Sequence, residues 1–174
     1  MGYIFIPHLN DSCVMSKPNL KLCGESTILR AGKITVDDLP ALAGLYDQLV
    51  KEKTDRDRMK EIFINMDKRD DYYLLGAKTE NNLLIGSIMG ILCLDLLKQG
   101  RPFMVMENLI VDSKWHGKGA GKMLLAEIES VARKRNCIFI QFCSSSYREA
   151  AHKFYEACGY DLSEVHGFRK FLLT

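Results

Sequence analysis

Apolar positions change their period several times along this chain, and each change marks an element. Residues 1–26 show no sustained period and carry Pro7, Pro18 and Gly24, so they read as an irregular leader to which no chemistry is assigned. "STILRAG" (Ser26 to Gly32) reads as a short strand, and Thr35 followed by Asp38 resembles the capping box that opens a helix. In that helix Leu39, Leu42, Leu45, Tyr46 and Leu49 form one apolar stripe. "KEKTDRDRMKE" (Lys51 to Glu61) is the solvated side of a second helix that is expected to bury Met59, Ile62, Phe63 and Met66. The pattern then turns to strands: "YYLLGAKTE", a turn at Glu80-Asn81-Asn82, "NLLIGSIMGILCLDLL" and "FMVMENLIVD" (Phe103 to Asp112). Helical spacing returns at Met123, Leu124, Ile128, Val131 and Ala132. It is followed by the strand "CIFIQF", the helix "YREAAHKFYEACG" closed by Gly159, and a last strand "GFRKFLL". Residues 27–174 therefore read as a single mixed domain with no internal repeat.

Charge and composition narrow the function classes. Lys and Arg number 24 against 22 Asp and Glu, a formal net charge of +2, which leaves no electrostatic footprint for nucleic acid. The six cysteines form no CxxC pair and point to a reducing compartment. "MGYIFIPHLN" lacks the basic start of a signal peptide, and the apolar stretch from Leu83 to Leu97 is broken by Gly86, Ser87, Gly90 and Asp95. That is short of the ~20 apolar residues a membrane helix needs. A soluble, cytoplasmic protein with no membrane partner is the expectation. The four histidines (His8, His116, His152, His166) lack metal-ligand spacing, so no metal is assigned.

The chemistry concentrates in "WHGKGAGKM" (Trp115 to Met123), a glycine-rich turn between a strand and a helix. Such turns let backbone amides approach an anion. The spacing excludes a P-loop, because His116 stands where the first glycine is required and Met123 where the metal-binding hydroxyl is required. It also excludes a dinucleotide fingerprint, because the run is Gly117-x-Gly119-x-Gly121 and the unit comes late in the chain.

After "ENLIVDSKW", the hexad His116-Gly117-Lys118-Gly119-Ala120-Gly121 resembles the [QR]-x-x-G-x-[GA] loop of the GNAT N-acetyltransferase superfamily. "AHKFYEACGY" (Ala151 to Tyr160) is similar to that family's A-x-x-F-Y-x-x-x-G-[FY] signature, and the order of elements from about residue 27 onward also fits. The resemblance implies an α/β (α+β) GNAT fold: a mixed, mostly antiparallel twisted sheet flanked by helices, with CoA in a cleft between the fourth and fifth strands. It implies acetyl-CoA as cosubstrate. Its pyrophosphate would be held by His116, Gly117, Lys118, Gly119, Ala120, Gly121 and Lys122, and its pantetheine arm lined by Leu109, Ile110 and Val111. Arg148 stands where many relatives carry an Asn that touches the cofactor. His116 departs from the usual Arg or Gln; it still donates a hydrogen bond, with a charge that follows pH.

Acetyl transfer to an amine needs a base, a held thioester carbonyl and a proton for the departing thiolate. Glu107 lies in the apolar strand "VMENLIV", where an inward carboxylate would be costly without a task. The resemblance makes it the base acting through water, and implies a strand bulge that frees an amide near Leu109 for the carbonyl. Tyr155, the tyrosine of the Phe-Tyr pair, is the implied general acid. Tyr160 and Phe154 read as packing, His152 as a surface partner of Glu156, and Ser144 to Ser146 as a turn and helix cap. The reading is an N-acetyltransferase acting on a primary amine of a small molecule. A protein lysine or N-terminal acetyltransferase and a non-catalytic acyl-CoA sensor stand as alternatives, with a homodimer left open.

Overall fold

The computed structural model describes residues 28–97, 99–163 and 165–172. The leader assigned to residues 1–26 lies outside the described residues. The elements are β1 (Leu29–Lys33), α1 (Leu39–Val50), α2 (Arg56–Asp67), β2 (Tyr72–Thr79), β3 (Leu84–Cys93), β4 (Phe103–Val111), α3 (Ala120–Lys134), β5 (Ile140–Gln141) and α4 (Glu149–Glu156). The sheet order is β1-β2-β3-β4-β5, antiparallel through β4, with β5 parallel to β4.

Alternation along the strands divides the core between the two faces of this sheet. Leu74 and Leu84 pack with Ile34, Leu39, Leu42, Leu45 and Phe63, the face covered by α1 and α2. Their neighbours Leu75 and Ile85 pack with Ile88, Met104, Met106, Leu124, Leu125 and Ile128, the face covered by α3. Each such fully buried aliphatic side chain contributes about 1.5–3 kcal/mol. α3 lies close because β3 has no side chain at Gly90, where a Cβ would stand 2.6 Å from Ile128 Cδ1.

The capping expectation at Thr35 is met. The Asp38 carboxylate accepts from the Thr35 N–H at 2.8 Å and from its hydroxyl at 3.0 Å. The same carboxylate takes an ion pair from Lys78 of β2 at 2.7 Å, which pins the start of α1 to the sheet. The hairpin turn also forms, with Asn82 at φ 60° and its N–H on the Thr79 carbonyl.

Other expectations fail, each for a tertiary reason. Ile62 is 44% exposed, because α2 inserts only Phe63 fully against α1 and the sheet. The strand read over "CIFIQF" shrinks to Ile140–Gln141. "GFRKFLL" forms no strand in its described part: Phe168 is 97% exposed, and so short a β5 gives it little edge to pair with. Ser144 to Ser146 make the turn, since the Arg148 N–H bonds the Ser145 carbonyl, but the N-cap of α4 is Arg148. No helix among the described residues is long and apolar enough to cross a membrane.

Candidate active site

Two departures from regular pairing in β4 create the site. On one edge β4 pairs with β5 only at Met104 and Val105, and then continues to Val111 with no strand beside it among the described residues. On the other edge Met89 faces Glu107 and Ser87 faces Ile110, so Ile88 alone opposes both Asn108 and Leu109. That two-against-one count is a β-bulge, and Asn108 takes the left-handed conformation at φ 55° that the bulge requires. Beyond it the Asp112 N–H bonds the Ile85 carbonyl at 2.8 Å, toward β3. Alternation then turns the backbone groups of Leu109 and Val111 to the open edge. The cleft between the fourth and fifth strands, and the free amide at Leu109, are thus both present.

At the end of β4 the Asp112 carboxylate accepts from the Lys114 N–H at 2.9 Å and starts a single 3-10 turn, Ser113–Trp115. His116 follows, and its Nε2 donates to the Val111 carbonyl at 2.8 Å. Its ring therefore sits over the open edge of β4 and ties the glycine turn to the strand. Gly117 (φ 75°) and Gly119 (φ 85°) are left-handed, and a Cβ on either would meet nothing within 4 Å. They serve conformation. Gly121 serves packing, for its Cβ would stand 3.1 Å from Phe154 Cζ, where α4 rests on the first turn of α3.

The first backbone bond of α3 runs from Met123 N–H to the Gly119 carbonyl at 3.0 Å. Gly119 as N-cap offers no side-chain acceptor. The amides of Gly117, Gly119, Ala120, Gly121 and Lys122 therefore have no backbone acceptor among the described residues. Converging amides at the positive end of a helix dipole make an anion site. Lys118 adds charge beside it, its ammonium 4.4 Å above the Trp115 ring. These groups fit a pyrophosphate: open approach at two glycines, unpaired donors and two lysines.

Tyr155 is 9% exposed, with its ring 4.5 Å from Phe142 and 5.4 Å from Phe154. Burial pushes its phenol pKa above 10; the Arg148 charge lowers it and the Glu107 charge raises it. Three residues picked from distant parts of the sequence thus share one electrostatic neighbourhood. Glu107 does not point inward, which corrects the reading of the strand. Met104 and Met106 are buried under α3, so alternation turns Glu107 to the α1 face, where it is exposed beside the bulge. Arg148 donates from Nη2 to the Leu49 carbonyl at 2.9 Å, joining the start of α4 to the end of α1. Tyr160 is a packing residue as expected; its hydroxyl donates to Glu129 at 3.3 Å, and burial raises its pKa strongly. The surface pair read for His152 is not made, since its Nε2 is buried without a hydrogen-bond partner.

Tyr46, Gln48, Ser87 and Asn108 were not singled out by sequence as site residues, yet all four lie against β4 or its bulge. One signal was available. A Glu-Asn pair interrupting an apolar strand marks a place where Asn tolerates positive φ. Tyr46 carried no such mark, because it fits the apolar stripe of α1.

Comparison with known proteins agrees with this architecture. The model of the acetyltransferase (GNAT) family matches residues 40–160. A putative acetyltransferase from Agrobacterium tumefaciens str. C58 superposes with a TM-score of 0.74 at 24% identity, over 83% of this chain and 99% of that one. A GNAT family acetyltransferase of Staphylococcus aureus subsp. aureus USA300_TCH1516 gives 0.68 at 26% identity, over 83% and 98%. The aminoglycoside N-acetyltransferase AAC(6')-Iy, solved with CoA, gives 0.73 at 17%, over 87% and 100%. No curated protein matches the sequence. With the family model spanning most of the chain and the bulge, cleft and glycine turn in place, this protein belongs to the GNAT family of acetyltransferases.

Proposed function

We propose that the protein moves an acetyl group from acetyl-CoA to a primary amine of a small molecule by direct attack. The observation that carries this reading is the junction of the open β4 edge, the bulge at Asn108 and the unpaired amides from Gly117 to Lys122. When bound, acetyl-CoA supplies the thioester. The amides and lysines of the glycine turn would hold its pyrophosphate, with His116 bracing the turn. Leu109, Ile110 and Val111 would line the pantetheine arm, and Arg148 would close the far wall.

An alkylamine with a pKa near ~10.4 is neutral in about one molecule per 10³ at pH 7, so proton removal is a real part of the barrier. Glu107, exposed on the acceptor side, takes that proton through water. The Leu109 amide donates to the carbonyl oxygen as negative charge grows there. Tyr155, neutral at pH 7 because burial holds its pKa above 10, gives its proton to the departing thiolate. One C–N bond forms and one C–S bond breaks, with one proton taken by Glu107 and one given by Tyr155.

Support for a small acceptor comes from the structural neighbours, which include aminoglycoside acetyltransferases and a glucosamine-6-phosphate N-acetyltransferase. The test is thiol release from acetyl-CoA against aminoglycosides, amino sugars, polyamines, amino acids and peptides. Release with a small amine, reduced about 10²- to 10⁴-fold in Tyr155→Phe, is expected. Release with peptides alone would give the protein-acceptor reading instead. CoA binding without release from any amine would give a sensor.

A further inference from the structure

We propose that Tyr46 is a positioning residue for acetyl transfer: from α1 it holds the Asn108 bulge in β4, and through the bulge it sets the direction of the Leu109 amide. The inference rests on the proposed function for the role of that amide, but its geometry is independent of it. Tyr46 packs in the core beneath the sheet together with Ile110 of β4. Ile110 is the cross-strand partner of Ser87, immediately beside the irregularity. The Tyr46 hydroxyl faces the side chains of Ser87 and Asn108. Ser87 is 0% exposed, and its Oγ has no well-formed hydrogen-bond partner, so the phenol is the polar group available to it.

Packing alone does not require a hydroxyl here. A phenylalanine would fill the same stripe, and burying a phenol without partners is costly. Burial pushes the Tyr46 pKa up while Ser87 and Asn108 offset part of the rise, so the group stays protonated and able to donate. What it acts on is a left-handed Asn108 (φ 55°), a conformation that persists where surrounding contacts over-determine it. The same turn of α1 grips the cleft at two further points. Gln48 Nε2 donates to the Asp112 carboxylate at 3.2 Å, and the Leu49 carbonyl accepts from Arg148 at 2.9 Å. The end of α1 therefore fixes the bulge, the end of β4 and the start of α4 together.

The experiment compares Tyr46→Phe, Asn108→Gly and the double variant with the wild type, by steady-state kinetics and by the 15N–1H resonance of the Leu109 amide. Glycine keeps the left-handed backbone and removes the side-chain anchor. Tyr46→Phe is expected to lower kcat about tenfold or more, as a small misplacement of a catalytic donor does, with KM for acetyl-CoA near the wild-type value. It is also expected to shift the Leu109 resonance, and the double variant is expected to be no slower than Asn108→Gly. An unchanged kcat in Tyr46→Phe, or independent multiplying losses in the double variant, would overturn the proposal. Should Tyr46→Phe not fold, Asn108→Gly is read alone: kcat reduced at constant KM supports the anchor, and unchanged kcat removes it. Should the wild type release no thiol from any amine, the proposed function is what fails. The Leu109 resonance then decides, and one that stays put in Tyr46→Phe overturns the positioning role.

Discussion

Replacing Asp38 by Asn tests how the active-site helix is held to the sheet. The Asp38 carboxylate lies 2.7 Å from the Lys78 ammonium, with side chains only 11% and 16% exposed. At that distance the gross attraction is about 6 kcal/mol for an effective dielectric of ~20, most of which repays desolvation. Removing one member of a fully buried pair costs about 3–5 kcal/mol. Here the amide of Asn still accepts from the Thr35 N–H, and Lys78 has a little access to water, so about 2 kcal/mol is expected. For a chain of this size that corresponds to a Tm lower by about 4–8 °C. The pH dependence gives a second handle. Burial alone would raise the Asp38 pKa, but hydrogen bonds from Lys78 and Thr35 more than reverse it, so the folded value lies below the ordinary one. Such a group contributes its full stability above the unfolded pKa of about 3.9 and loses it as pH falls through the folded value. Urea denaturation followed by circular dichroism, at pH 7 and in acid, measures both effects. The Asp38→Asn penalty should shrink in acid, and Lys78→Met in the Asp38→Asn background should add little. A penalty below about 0.5 kcal/mol at pH 7, the size of an exposed pair, would refute the argument.

Other expectations follow from the glycine turn and the cleft. Gly119→Val forces a β-branched residue to φ 85°, which should cost about 1–2 kcal/mol in urea denaturation and raise KM for acetyl-CoA more than it lowers kcat. His116→Ala releases the Val111 carbonyl, a bond worth about 0.5–1.5 kcal/mol, so KM for acetyl-CoA should rise about 2- to 10-fold with kcat little changed. Ile128→Ala should cost about 2–5 kcal/mol by opening space under Gly90, seen as a lower urea midpoint with an unchanged m-value.

Local patterns carried much of the architecture because they are set by short-range physics. The stripe of α1, the Thr35–Asp38 box, the alternation of β2 to β4 and the glycine run each follow from neighbours a few residues apart. The same local logic singled out Glu107, Tyr155 and the residues from His116 to Lys122, since strand-turn-helix chemistry is written contiguously. It failed where distant chain decides. Ile62 has the right period for burial but no surface to meet. "GFRKFLL" has strand composition but little paired edge beside it. Glu107 turned to the exposed face because the alternation of β4 was already spent on placing Met104 and Met106 under α3.

What the sequence by itself determined is the set of elements, their order and the chemical inventory of the site. Only the tertiary structure decided the bulge at Asn108, the parting of β4 from β5, and the three contacts made by the last turn of α1. Those depend on pairing register and on side chains far apart along the chain, such as Tyr46 with Ser87 and Leu49 with Arg148. No local period encodes them, because a residue's face on a strand or helix is fixed nearby, while what it meets there is fixed by packing.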